Sequence, residues 1–271
     1  MGEVTWRFGD PARERPESSK RDLRPTCGAM SIALRLRERG LRIGLSTVLV
    51  DDAQGRRAYE AAAASGVDVG GVTLTRARSS LLLIDAHGDA SPPSSESERK
   101  PPPELPRTWS SRVLLLSGLS PVLSHVAALC RAARGARRDG TVVMIDLNAA
   151  LRVWGGRDAR IIRMLLREVD VARCSVADLA VLGLDEDSVR EALRPSATLV
   201  IGDASGGLSA QGPFGEVSHA GEGPEDNEDF LRPGAGDALV AAICADLVTG
   251  GERGESPSAF WNRALGPRPR R

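Results

Sequence analysis

The chain has 271 residues, and its 36 Lys+Arg balance 36 Asp+Glu, so the formal net charge is zero. That balance excludes bulk electrostatic capture of nucleic acid, which needs a basic excess to displace counterions. Hydrophobic residues make up 41%, enough for a buried core at this length, yet no run of about 18 apolar residues offers a membrane span.

In chain order, residues 1–25 are polar and proline-interrupted, with one short strand predicted near Val4–Phe8. Ala29, Met30, Ala33 and Leu36 lie near helical spacing, and Gly40 closes that helix. LRIGLSTVLV reads as a buried strand, and QGRRAYEAAAASG as an alanine-rich helix ending on Gly66. The β-branched and apolar runs of VTLTRARSSLLLIDAHGD predict one or two strands with a turn near His87-Gly88. Residues 90–111 are rich in Pro, Ser and charge, and predict a long exposed loop. A regular alternation follows. RVLLLSG is a strand, PVLSHVAALCRAARGARRDG an amphipathic helix, TVVMIDLN a strand, RDARIIRMLLREV a helix and VDVARCS a strand. VADLAVLG and DEDSVREAL are short helices, ATLVIGD is a strand, and AGDALVAAICADLVTGG and SPSAFWNRAL are the last helices.

Alternating strands and helices predict right-handed crossovers and an α/β fold, with a mostly parallel central sheet covered by helices on both faces. Ligands in such folds bind beyond the carboxyl ends of the strands. The residues to inspect are Asp51, Asp52, Gly118, Asp146 to Asn148, Ser175, Gly202 and the turn at Gly234.

That last turn carries the strongest local signal. In RPGAGDALVAAICADL, Gly234, Ala235 and Gly236 open a strongly apolar helix. Unpaired N–H groups and the positive dipole end favour an anion there, and glycines let it approach. Asp237 sits inside the turn, placed to accept a proton from a hydroxyl while the N–H groups hold charge on a transferring phosphoryl group. On its own, GAGD reads first as an acid favoured by the helix dipole. No GxxxxGK[ST] motif exists, and a small-residue turn this near the C-terminus does not match a dinucleotide-binding fingerprint.

Taken with its context, the GAGD helix resembles the near-C-terminal signature of the ribokinase-like (PfkB-type) carbohydrate kinases. SIALRLRERGL resembles that family's NVAxxLARLG helix, and DDAQGRRAYEAAAASGVDV its D-x-x-G…GVD segment. GTVVMIDLNAALRVW is similar to its D-x-N-x-R-x-x-LW strand end, VDVARCSVADLAVLG to its AD-x-x-x-N-x-x-E segment, and ATLVIGDASGG to its V-x-T-x-G-x-x-G strand. These blocks occur in family order over roughly residues 26 to 265.

The resemblance implies a single ribokinase-like domain over 1–271, a three-layer sandwich with small β-lid strands within about 68–90. It also implies ATP-dependent, Mg²⁺-assisted phosphorylation of a hydroxyl on a sugar or sugar acid, fructokinase-like or 2-keto-3-deoxygluconate-kinase-like. Asp237 would be the base, and Gly234, Ala235 and Gly236 the anion hole. Gly202, Asp146, Asn148 and Ser175 would face the nucleotide, Asp178 would hold the metal through water, and Ser31 and Asp52 would face the substrate. Relatives of this kind pair through the lid, which implies a homodimer.

This chain departs from the pattern. The family's N-terminal GG and the Asn of NVA meet Thr26, Cys27 and Ser31, and the Arg of D-x-N-x-R falls on Ala150, with Arg152 two residues on. N-x-x-E becomes Ser175 and Asp178, the Thr of T-x-G falls on Val200, and Pro233 precedes GAGD. A second function class therefore stands beside the enzyme: a catalytically impaired kinase-fold paralogue acting as a ligand-binding or regulatory module. The charged start has no apolar signal segment, and the four separated cysteines show no CxxC pair; both predict a cytoplasmic protein with reduced thiols. His87, His125 and His219 share no metal-ligand spacing. Asp52 also suits the cap of the helix that follows it, and Trp154 suits packing.

Overall fold

A computed structural model describes residues 4–7, 24–76, 83–84, 90–91, 103–117, 125–149, 159–203, 206–220, 235–250 and 255–266. Its main sheet is built from β7 (Val113–Leu116), β8 (Val142–Asp146), β9 (Val171–Ser175) and β10 (Thr198–Gly202), all parallel, followed by β11 (Leu208–Gly212) and β12 (Gly215–His219) as an antiparallel extension. The parallel strands are the predicted ones. The β11–β12 hairpin is not predicted by the apolar pattern, because its strands carry Ser, Gln, Glu and His between few apolar residues. Gly215, with φ of 92°, makes the turn.

Period-2 alternation along the parallel strands separates two cores. Val143, Ile145, Ala172, Cys174, Leu199 and Ile201 face α3 (Val126–Arg138), α4 (Arg160–Leu166), α5 (Val176–Leu182) and α6 (Glu186–Ala192). Met144, Val171 and Val200 face the other way, against α1 (Ala29–Glu38), α7 (Ala235–Gly250) and α8 (Pro257–Leu265). Helices thus cover both faces, and the interior is Leu, Ile, Val and Ala with few aromatics. Each fully buried Leu or Ile contributes on the order of 2 kcal/mol. Cys130, Cys174 and Cys244 are free thiols inside these cores, and burial pushes Cys174 and Cys244 up to about 12. Arg134 and Arg137 reach across to Glu168, and Arg137 also to Asp170, which ties α3 to the end of α4 by exposed, weakly stabilising pairs.

A smaller layer stands beside the main sheet. β3 (Gly44–Val50) pairs in parallel with β4 (Asp68–Thr75), joined by α2 (Ala53–Ala64). Asp52 caps α2 by accepting the N–H groups of Gln54 and Gly55 at 3.0 and 2.8 Å. A Cβ on Gly55 would meet the Val50 carbonyl oxygen at 1.8 Å, so only glycine allows this helix to start so close to its strand. Four short strands complete those described: β1 (Val4–Arg7) pairs with β2 (Arg24–Gly28), and β5 (Leu83–Ile84) with β6 (Ala90–Ser91).

The loop predicted over 90–111 is described in part. Residues 90 and 91 form β6, and 92–102 lie outside the described residues. Residues 103–111 have no helix or strand, yet they dock on the β3–β4 layer. Pro103 is buried, and the Glu104 carbonyl accepts the buried Ser46 hydroxyl at 2.8 Å. The Trp109 ring lies against Gly44 and Gly71, where a Cβ on either glycine would meet it at 2.8–2.9 Å. Its indole N–H donates to Asp68 Oδ2 at 2.9 Å. A strand glycine often marks such a close approach, and here two of them give the indole a flat seat. Trp109→Ala should destabilise the fold by about 1–3 kcal/mol, less than the 3–5 typical of a fully buried aromatic. Urea unfolding checks this, and an unchanged midpoint would show that the strap carries no load.

Candidate active site

Extending the strand alternation to the carboxyl ends puts Ser117, Asp146, Arg173 and Gly202 on the face that α7 covers. Asp146 on β8 and Arg173 on β9 are cross-strand partners. The Arg173 Nη1 donates to Asp146 Oδ1 at 3.0 Å, and the Ser117 hydroxyl donates to Asp146 Oδ2 at 3.1 Å. Asp146 is only 1% exposed. Burial pushes its carboxyl up against the pull of Arg173, and the negative charges of Asp178 and Asp237 add to the rise. Burial also works against the Arg173 charge, but Asp146 and Asp178 outweigh it and hold the guanidinium above its ordinary value.

Asp237 enters from the other side, on the first turn of α7. It is 3% exposed. The Ser31 hydroxyl and the Gly28 N–H donate to its carboxylate, while Oδ2 is buried with no partner. Burial pushes this carboxyl up, and the two hydrogen bonds with the positive charges of Arg35 and Arg173 only partly oppose it. Gly28 is the N-cap of α1 with φ of 78° and ψ of −157°, a backbone conformation that favours glycine. The start of α1 and the start of α7 therefore meet on one carboxylate. A buried polar atom without a partner costs about 1–3 kcal/mol, so Asp237 Oδ2 marks the place where a bound hydroxyl would be welcomed.

Gly236 precedes Asp237, and a Cβ there would lie 3.7 Å from both Nη atoms of Arg173. Gly202 borders the same guanidinium, at 4.0 Å for a Cβ. Asp146, Asp237, Gly236 and Gly202 are thus brought together around Arg173, with Ser31 on the far partner Asp237. Gly234 lies outside the described residues, as do Ala150, Arg152 and Trp154.

Ser175 and Asp178 form a capping box at the start of α5. Asp178 Oδ2 accepts the Ser175 N–H and hydroxyl, both at 2.7 Å, and Oδ1 accepts the Ala149 N–H at 2.6 Å. This last bond holds the turn after β8, where Asn148 has a positive φ of 35°. Asp178 is therefore tied up by three protein donors, and among the described residues no group of three or more His, Cys, Asp or Glu side chains could hold a metal. Asp52 sits apart, as the cap of α2.

Sequence reasoning missed Arg173 and Gly28. Arg173 interrupts an apolar strand between Ala172 and Cys174, which is the signal that could have found it. A cavity of about 480 Å³ lies at the far end of α1, lined by Leu34, Arg37, Glu38, Gly40 and Ser65, away from these groups.

With this geometry in place, similar proteins can be compared. No protein-family model matches the chain, and no curated protein matches it. Solved structures do. Halothermothrix orenii fructokinase superposes with a TM-score of 0.70 at 18% identity, over 97% of this chain and 95% of that one. Aminoimidazole riboside kinase from Salmonella enterica, complexed with aminoimidazole riboside and an ATP analogue, gives 0.68 at 19% identity, over 97% and 88%. Fructokinase from Xylella fastidiosa with bound ATP gives 0.65 at 19%, over 97% and 84%. The fold is ribokinase-like. The sheet, the helices on both of its faces and the small β3–β4 layer of this chain follow that ribokinase-like plan across almost its whole length, alongside PfkB-type sugar kinases.

Burial of Asp237 has a consequence for stability. The folded chain holds this proton more tightly than the unfolded one, whose carboxyl titrates near the ordinary 3.8. Stability from this group is therefore full below that value and is lost as pH rises through the higher folded value. Asp237→Asn should melt at a higher temperature than wild type at pH 7, with the gap closing as pH falls toward the ordinary carboxyl value. Calorimetry across that range checks it, and a lower melting temperature at pH 7 would contradict the assignment.

Proposed function

We propose that the chain transfers the γ-phosphoryl group of ATP to a hydroxyl of a sugar or sugar acid. The observation that carries this reading is the buried, unpartnered Oδ2 of Asp237 on the first turn of a helix that starts beside Arg173. The acceptor hydroxyl donates to Oδ2 and gives up its proton as its oxygen bonds to the γ-phosphorus, while the bond from phosphorus to the ADP oxygen breaks and ADP leaves with the electron pair. N–H groups of the first turn of α7 hold the charge that develops on the phosphoryl oxygens. The raised proton affinity of Asp237 suits a group that must take a proton and later release it. Similar folds that carry ATP or a riboside with an ATP analogue support the choice of substrates.

The described acids do not supply a resident metal site, since Asp178 is occupied by protein donors and Asp146 by Arg173 and Ser117. The same commitment of Asp146 and Asp178 favours the second reading, a kinase-fold module that binds nucleotide or sugar without turnover. A cytoplasmic setting and pairing through the lid strands expected within about 68–90 belong to the proposal as well.

A screen of sugars, sugar acids and nucleosides for ADP release separates the two. The kinase reading expects at least one acceptor that stimulates ADP release, with Asp237→Asn lowering turnover by about 10²–10⁴-fold in a folded protein. Nucleotide binding, seen as a raised melting temperature with ATP, but no ADP release with any acceptor, would establish the module instead.

A further inference from the structure

We infer that Arg173 is a further catalytic residue, the protein cation that contacts the γ-phosphoryl group, held in place by Asp146. The inference rests on the kinase reading above and adds the residue that recognises the transferred group.

Arg173 is mostly buried, with part of its hydrogen-bonding capacity unanswered. Its side chain is 12% exposed and its Nε is buried with no partner. Both Nη atoms lie close to Gly236, in the first turn of α7, where the helix dipole already places positive charge. A cation there is repelled by the helix end, and the carboxylates of Asp146, Asp178 and Asp237 oppose that repulsion. Asp146 answers for one Nη1 donor, and the guanidinium has five. Gly236 and Gly202 are the described neighbours that border its Nη atoms, at 3.7 and 4.0 Å from where a Cβ would stand.

An anion with several oxygens resolves each of these costs together. It accepts from the spare guanidinium donors and from the N–H groups of the α7 turn, and it turns the repulsion between two positive groups into a shared attraction. Gly202 and Gly236 present bare backbone beside the guanidinium, where a Cβ would make ordinary contact at 4.0 and 3.7 Å. The group that fits is the terminal phosphoryl of a nucleoside triphosphate, because it must lie within reach of both Arg173 and Asp237 for transfer to the hydroxyl that Asp237 deprotonates. Asp146 then acts through Arg173 and is a positioning residue, with the Ser117 hydroxyl fixing its second oxygen.

The test compares binding of ADP with binding of the non-hydrolysable triphosphate AMP-PNP by titration calorimetry, on the full chain. Wild type should prefer AMP-PNP. Arg173→Gln should weaken AMP-PNP by tenfold or more, leave ADP within about twofold, and so erase the preference. Arg173→Lys keeps the charge beside Asp146 and should retain part of the preference; it also serves if the glutamine variant does not fold. A structural role for the ion pair would weaken both nucleotides together. Wild type that prefers AMP-PNP, with the preference undiminished in either folded variant, overturns the Arg173 assignment and leaves the kinase reading intact. Wild type that binds neither nucleotide overturns the kinase reading and this assignment with it.

Discussion

A carboxylate oxygen buried without a hydrogen-bond partner is the constraint around which the site is arranged. Asp237 is drawn out of water at the start of α7, where the helix dipole favours its charge. Two donors from α1, the Ser31 hydroxyl and the Gly28 N–H, satisfy one part of the carboxylate. The rest is left unanswered. Removing a charge from water without full compensation is unfavourable, and a fold retains such a group where a ligand completes it. The meeting of α1 and α7 on one side chain also explains why these helices share a core with α8 and the Met144 face of the sheet.

The parallel strands supply the other half. Strand alternation that buries Ile145, Cys174 and Ile201 on one face necessarily turns Asp146, Arg173 and Gly202 to the opposite one. The strand ends therefore present an ion pair and a bare backbone directly under the α7 turn. Asp146, Asp178 and Asp237 crowd three negative groups near one guanidinium, and their mutual repulsion is part of why burial keeps Asp146 protonated more readily than a surface acid. Around this centre the capping box of Ser175 and Asp178 fixes the turn after β8 and sets where Asn148 stands.

Much of the fold was legible because apolar periodicity differs between strand and helix. β7 to β10 and the helices between them announce themselves as short apolar runs and amphipathic segments, two of them closed by Gly140 and Gly183. The β11–β12 hairpin was not, since a polar edge hairpin buries few side chains and leaves little pattern to read. The docking of 103–111 was hidden for a related reason: its Pro and Ser content describes a segment without regular structure, while a single Trp109 and the glycines opposite decide whether it packs. Asp237 was legible from the small-residue turn before it. Arg173 was not, because all but two of the 36 basic residues are arginine, so one more carries no weight by composition. Only its position inside an apolar strand sets it apart. Asp178 and Asp52 show the opposite limit, as acids at motif positions whose oxygens the backbone claims.

The most direct measurement is a ¹³C NMR titration of the aspartate carboxyls, with Asp237 identified by the signal missing in Asp237→Asn. The account predicts a midpoint above the ordinary 3.8, displaced further upward in Ser31→Ala, where a hydrogen bond to the carboxylate is removed. A midpoint at or below the ordinary value would mean that this carboxylate is solvated or fully paired, and would contradict the site described for it.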